Sequence, residues 1–161
     1  MKTLIGLDLA TKCGVSVFDI GTEKLIFSDT LFLPKSDGQL RLRQLYDSLN
    51  LLYAKYKFTE AAIEDVFLPV KTSPRTPIAL GELRGVARLW ASQKGIEVYF
   101  YPPRKVKMAI TGFGNAAKAD VITWIQNEFN IKVKDDNEAD AISIAWTHIL
   151  ERRFMASVDG G

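Results

Sequence analysis

The hydrophobic pattern changes period along the chain, and each change marks an element. Thr3–Leu9 (TLIGLDL), Val15–Ile20 (VSVFDI) and Glu23–Leu33 (EKLIFSDTLFL) are short and rich in branched and aromatic residues. With Gly14 and Gly21 as punctuation, they read as three strands joined by tight turns. Leu40, Leu42, Leu45, Leu49, Leu52 and Tyr53 then recur mainly in steps of three and four, which predicts an amphipathic helix from Asp37 to about Tyr56. AAIEDVF is a fourth, buried strand. Pro74 and Pro77 precede a helix through Ala79–Gln93 that Gly95 stops, and IEVYFY is a fifth strand ended by Pro102 and Pro103. Helices are predicted from Lys118 to Phe129 and from about Asp136 onward, the latter turning Ala141, Ile142, Ala145, Ile149 and Leu150 inward.

Three sequential strands with tight turns make an antiparallel meander, and strands separated by helices make parallel crossovers. The predicted fold is therefore α/β: a mixed five-stranded sheet, three antiparallel then two parallel strands, with helices on both faces. Residues 1–161 suit a single domain, with residues 154–161 (FMASVDGG) expected to fray.

Composition excludes several classes. With 47% hydrophobic and 25% charged residues the chain is a globule. No apolar run approaches the ~20 residues of a membrane span. Asp8 interrupts the only apolar run near the start, so that run reads as a strand and not a signal peptide. Cys13 is the single cysteine, so no internal disulfide forms, and a reducing, intracellular setting is expected. The net charge of +2 hides an asymmetry. Residues 71–118 hold nine Lys or Arg against Glu82 and Glu97, a balance of +7, while the remainder carries 12 basic and 17 acidic groups, a balance of −5. The basic segment is either a solvated face or the side that meets a polyanion.

Carboxylates near apolar runs are costly unless paired or bound to metal. Asp8 sits among Ile5, Leu7 and Leu9, and Glu64 ends the fourth strand. The topology makes the first and fourth strands neighbours, so the two carboxylates fall side by side and repel unless a cation such as Mg²⁺ or Mn²⁺ joins them. On the last helix Asp140 shares a face with Asp136 and Asn137. Asp135 reads as a helix cap. Asp136 is either a first-turn acid or a ligand. Glu138 and Asp65 are expected on the surface or in capping roles. VKMAITGFGNAAK has the makings of a phosphate loop: Gly112 and Gly114 allow close backbone approach, Lys107 flanks them, and Lys118 opens a helix. Phe67, in a proline-bounded loop with Lys71 and Arg75, either stacks on bases or closes the core. His148 reads as packing, and Cys13 lacks the base that a nucleophile needs.

These residues resemble the RuvC-type Holliday-junction resolvases of the ribonuclease H-like superfamily, from Met1 to about Leu150. GLDLATKCGVSVFD resembles the first block, AAIEDVF the second and NEADAISIAWTH the last. LGELRGVARLWASQKGIEVYFYPPRKVKMAITGFGNAAKADV resembles the long middle block. The resemblance implies a ribonuclease H-like nuclease with catalytic Asp8, Glu64, Asp140 and Lys118. It also implies two Mg²⁺ per site, Mn²⁺ substituting, held about 3.5–4 Å apart. The DNA-binding set implied is Phe67, Lys71, Arg75, Arg84, Lys107, Gly112, Gly114 and Lys118, with Lys107 and Lys118 as the basic pair and Phe67 as the aromatic probe of the junction. Where the family usually has Asp or His, three residues before the final Asp, this chain has Asn137. The metal set is thus Asp8, Glu64, Asp140 and either Asn137 or Asp136, and the NEADA-like end is similar to phage-type or otherwise divergent members. A cytoplasmic homodimer would bind four-way DNA junctions and nick two strands symmetrically, leaving 5′-phosphates; no sequence feature names a helicase partner. The alternatives are a relaxed nuclease acting on flaps and other branched DNA, and a junction-binding module that does not cut. A small ATPase or sugar kinase of the actin-like kind would need a second similar domain, for which 161 residues leave no room.

Overall fold

The middle of the sheet is β1 (Thr3–Asp8), flanked by β2 (Lys12–Asp19) and β4 (Glu60–Glu64). β3 (Lys24–Phe32) and β5 (Glu97–Tyr101) form the edges, giving the order β3-β2-β1-β4-β5. β1 pairs antiparallel with β2 and parallel with β4. β2–β3 is antiparallel and β4–β5 parallel. This is the predicted mixed sheet, seen in a computed structural model that describes residues 1–65 and 75–159.

Strand parity sorts the side chains into two cores. Ile5, Leu7, Val15, Val17 and Ile63 face α1 (Gly38–Tyr56) and α2 (Arg75–Lys94), where Leu45, Leu49 and Trp90 complete the layer. Leu4, Phe18 and Ala62 face the other way, toward α3 (Pro103–Thr111), α4 (Lys118–Phe129) and α5 (Asp136–Asp159). Even-numbered residues of β1 and β4 therefore point to the α5 side, and Asp8 and Glu64 are the last of those series.

α5 lies directly on the sheet because two strand residues lack a side chain. A Cβ on Gly6 would stand 2.5 Å from the Ala141 carbonyl oxygen, and one on Gly14 would stand 1.9 Å from the Asn137 carbonyl oxygen. Gly14 is thus a packing residue inside β2, paired with Asp8, and not the turn residue expected from sequence. Ser16 fastens the same contact by donating its buried hydroxyl to the Ala141 carbonyl (2.7 Å). The start of α5 is stapled to the sheet edge. Asp135 Oδ1 accepts from the Glu138 amide (3.0 Å) and from Thr30 Oγ1 (2.7 Å). Glu138 in turn accepts from the Lys134 amide (2.7 Å) and from Ser28 Oγ (2.6 Å). This resembles a capping box turned sideways to hold a strand as well as a helix end. Glu138 is therefore buried and caps the helix start, the second of its two expected roles, each carboxylate oxygen accepting one hydrogen bond.

We expect Gly14→Ala to push the first turn of α5 off the sheet. The overpacking should cost ~1–3 kcal/mol of stability. The shift at Asn137 and Asp140 should lower cleavage by roughly 100-fold. Thermal melts and cleavage time courses on one preparation check both.

Two helical segments differ from expectation. The stretch after Pro102 is the helix α3, beginning with Pro103 at its first position. α5 also runs past Arg153 to Asp159; Arg153 itself pairs with Glu23 (2.7 Å) and lies over the Trp146 ring.

Candidate functional site

Five elements meet at the ends of β1 and β4. The parallel register runs Leu7 beside Ile63, so Asp8 and Glu64 lie one step beyond the last pair, on the same face. α5 crosses above them with Asn137, Asp140 and Ser143. α3 adds Pro103, Val106 and Lys107, and α4 adds Lys118 and Val121. Together they line a cavity of about 320 Å³.

Its electrostatics follow from crowding acids in a half-buried place. Burial is the main reason the Asp8 carboxyl is pushed up to about 8; the charges of Glu64 and Asp140 and a hydrogen bond shared with Glu64 add to it, and Lys118 opposes it. Burial also raises Glu64, against the shared hydrogen bond and the fields of Lys118 and Lys107. Asp140 is pushed up to about 6, again by burial first, with Lys118 opposing. Burial and mutual repulsion thus raise Asp8 and Glu64 together, as they do for any two close carboxylates with no cation between them. Asp136 differs. Its bond to Lys118 (2.7 Å) holds it below the usual carboxylate range. Lys118 also stands 3.6 Å from Asp140, and the bond to Asp136 leads the causes that raise its own pKa.

Among the described residues, no three His, Cys, Asp or Glu side chains close on one point as a ready-made metal shell. The residues nevertheless fit a hard divalent cation. The donors lining the cavity are carboxylate and amide oxygens, their negative charge is under-compensated, and the Lys118 ammonium stands where positive charge is wanted. Asn137 lines the cavity and Asp136 does not; Asp136 instead pairs with Lys118 (2.7 Å).

The other expected site residues divide. Phe67 and Lys71 lie outside the described residues, as does the side chain of Arg75. Arg84 is engaged within the fold: it donates to Asp65 (2.7 Å) and stacks 4.0 Å from the Phe100 ring centroid. Gly112 and Gly114 do not line the cavity. Gly112, at φ +83°, ends α3, its N–H bonded to the Met108 carbonyl. The predicted phosphate loop is therefore a helix carrying Lys107, then a tight turn, then the α4 start carrying Lys118. Sequence reasoning missed Ser143, Ile144 and Val106 as walls. The helical step from Asp140 to Ser143 and Ile144 was the signal that could have found the first two. His148 is buried between the Tyr101 hydroxyl (2.6 Å) and Glu60 (3.0 Å). The Cys13 thiol is buried and pushed up to about 12, chiefly by burial, which leaves no thiolate for attack.

Residues 4–148 match the family model described as crossover junction endodeoxyribonuclease RuvC. A crossover junction endodeoxyribonuclease RuvC of Pseudothermotoga lettingae is 39% identical over 117 residues, 71% of this chain and 71% of the relative. One from Anaeromyxobacter dehalogenans (strain 2CP-1) is 32% identical over 160 residues, 98% of this chain and 85% of the relative. The solved Thermus thermophilus RuvC structure superposes with a TM-score of 0.82 at 23% identity, covering 95% of this chain and 96% of that one. The yeast mitochondrial Holliday junction resolvase Ydc2 gives 0.63 at 14% identity, over 96% of this chain and 83% of that one. These two structures carry the fold.

Proposed function

We propose that this chain, which belongs to the crossover junction endodeoxyribonuclease RuvC family, resolves four-way DNA junctions by hydrolysing one phosphodiester per subunit. The observation that carries the proposal is the meeting of Asp8, Glu64 and Asp140 with Asn137, Lys107 and Lys118 in one cavity. Crowded acids beside lysines suit a reaction in which a cation neutralises the acids and the lysines meet phosphate.

The family is divalent-metal-dependent. For this chain we assign two Mg²⁺, replaceable by Mn²⁺, to Asp8, Glu64, Asp140 and Asn137. When bound, they supply an activated water and charge stabilisation of the leaving oxygen. The protein's own part is positional. Asp8 and Glu64 would present their carboxylate oxygens to the metal from neighbouring strands. Lys118, tethered by Asp136, swings its ammonium from Asp140 to a phosphate oxygen. Lys107 meets the same backbone from α3. Water oxygen attacks phosphorus, the bond to the 3′ oxygen breaks, and the products are a 3′-hydroxyl and a 5′-phosphate.

The Asn137 amide brings no charge, so this site holds its cation less tightly than an Asp would. Asn137→Asp should lower the Mn²⁺ concentration for half-maximal cleavage by roughly ten-fold. Titration of cleavage against metal, with calorimetry of metal binding, measures it.

A second copy of the chain completes the assembly in this reading, one active site per strand. The exposed face of α2 supports it. Ile78 and Leu89 are 61% and 57% exposed, and between them Gly81 and Gly85 face open space. Mid-helix glycines cost about 1 kcal/mol each against Ala, a cost that close helix approach offsets. Among the described residues no helix is long and apolar enough to cross a membrane, and we place the protein with its DNA, in the cytoplasm. The deciding experiment compares a four-way junction, a flap and a linear duplex with Mg²⁺ or Mn²⁺. Paired symmetric nicks in the junction alone support resolution; equal cutting of flaps supports the relaxed nuclease; binding with no product supports a non-cleaving module.

A further inference from the structure

A second cavity, of about 440 Å³, opens at the turn joining α3 to α4. Its walls are Phe113 and Trp124, and its polar rim is Thr111, Asn115 and Asp120. We propose that it binds one nucleobase of the DNA next to the cleaved phosphate and so sets the base preference of the cut. The proposal rests on the nuclease reading above.

Phe113 is 68% exposed at the tip of the turn. A single exposed apolar residue is ordinary, but this one is held in place. Thr111 Oγ1 accepts from the Phe113 amide (3.2 Å) and donates to the Lys107 carbonyl (2.8 Å). The Phe113 carbonyl accepts from the Ala116 amide (3.2 Å). On the next residue, Arg104 fills the space a Gly114 side chain would need, since a Cβ there would stand 2.8 Å from it. The opposite wall is part of the core: Trp124 meets Phe129 edge-on at 6.3 Å, and Phe129 packs on Phe18 and Trp146. An aromatic carried on a braced turn, lining one cavity with a second that packs against the core, offers a base a surface on which to stack.

Position and charge choose the ligand. Ala117 and Asp120 line this cavity, and Lys118, between them in sequence, lines the carboxylate cavity. The two cavities therefore share the first turn of α4. A strand whose phosphate meets Lys118 brings a neighbouring nucleotide to Phe113. Lys107, Lys118 and Arg104 suit the backbone, but Asp120 repels phosphate. A carboxylate on the rim suits a base edge, because it accepts from the exocyclic amine of adenine, cytosine or guanine; thymine offers only its ring N3–H, flanked by two carbonyl oxygens that the carboxylate repels.

The test uses the full chain and four-way junctions carrying each of the four bases at positions flanking the cut. Metal-free binding of junctions with 2-aminopurine at those positions runs in parallel. Wild type should disfavour thymine at one position, and 2-aminopurine there should be quenched on binding. Phe113→Ala should abolish the quench and lower cleavage of the preferred junction roughly 5- to 100-fold, while Phe113→Trp keeps both. Asp120→Asn should keep the quench and lose the discrimination against thymine. Unchanged base profile and quench in Phe113→Ala, or a wild type indifferent to every flanking base, overturns the proposal. Because the quench needs no cutting, a protein that binds but never cleaves refutes the nuclease reading separately from this pocket.

Discussion

Asp8→Asn is expected to reduce metal-dependent junction cleavage about 1000-fold or more, to leave junction affinity within a few-fold, and to make the metal-free protein more stable. The first effect follows from losing the charged oxygen nearest both Glu64 and Asp140, a loss of several kcal/mol of charge stabilisation in the transition state. The second follows because the phosphate-binding groups, Lys107 and Lys118, are untouched. The third comes from linkage. Asp8 titrates at about 8 in the folded chain, against about 3.9 unfolded. Between those values the folded state holds a proton that the unfolded state has lost. Stability is therefore fully present below pH ~4 and falls as pH rises toward 8. Asn imitates the protonated acid, including its hydrogen bond to Glu64, and carries no such penalty. In EDTA the mutant should melt only slightly above wild type at pH 5 and well above it at pH 8, the stability gap widening by on the order of 4 kcal/mol between the two. Retained cutting would remove Asp8 from the catalytic set. A gap equal at both pH values would show that the acids are not crowded as described.

The same carboxylates show how much of the site was legible in the sequence. Asp8 and Glu64 were placed side by side because strand order follows from connection type, and parity then puts both on one face. Asp140 followed from helical period. The rest depended on tertiary packing, which a local pattern does not carry. Gly14 looked like a turn residue because glycine punctuates chains; its actual constraint is a helix carbonyl 1.9 Å from where its Cβ would be. α3 looked like a loop because Pro102 and Pro103 end a strand on one side and Gly112 and Gly114 mark a turn on the other. Yet proline suits the first helical position and glycine the residue just past the last, so the same residues that suggested a loop bound a helix. Glu138, offset by two positions from Asp140, reads from sequence only as a surface or capping residue. The edge strand β3, far away in sequence, covers it with Ser28. Asn137 and Asp136 could not be separated by period, since both share a face with Asp140. In the fold only Asn137 lines the cavity, and Asp136 pairs with Lys118.

Lys118→Gln should move two quantities in opposite directions. Lys118 is the cation already inside this site, 2.7 Å from Asp136 and 3.6 Å from Asp140, and its field lowers Asp8, Glu64 and Asp140 alike. Without it the acids lose an internal competitor for metal, so Mn²⁺ should bind more tightly by calorimetry. Cleavage at saturating metal should still fall by roughly 100- to 1000-fold, the usual loss when one fixed donor to a developing charge is removed. Junction affinity should also lose about one phosphate contact, seen as a decrease of about one in the slope of log affinity against log salt. Lys118→Arg should restore the salt slope but only part of the rate, because a planar fork cannot keep its bond to Asp136 and move from Asp140 to phosphate as a point charge does. If added metal restored the Gln variant to full rate, Lys118 would be shown to act only by organising the metal site. If Mn²⁺ bound more weakly, the ammonium would not be the competitor that the geometry makes it.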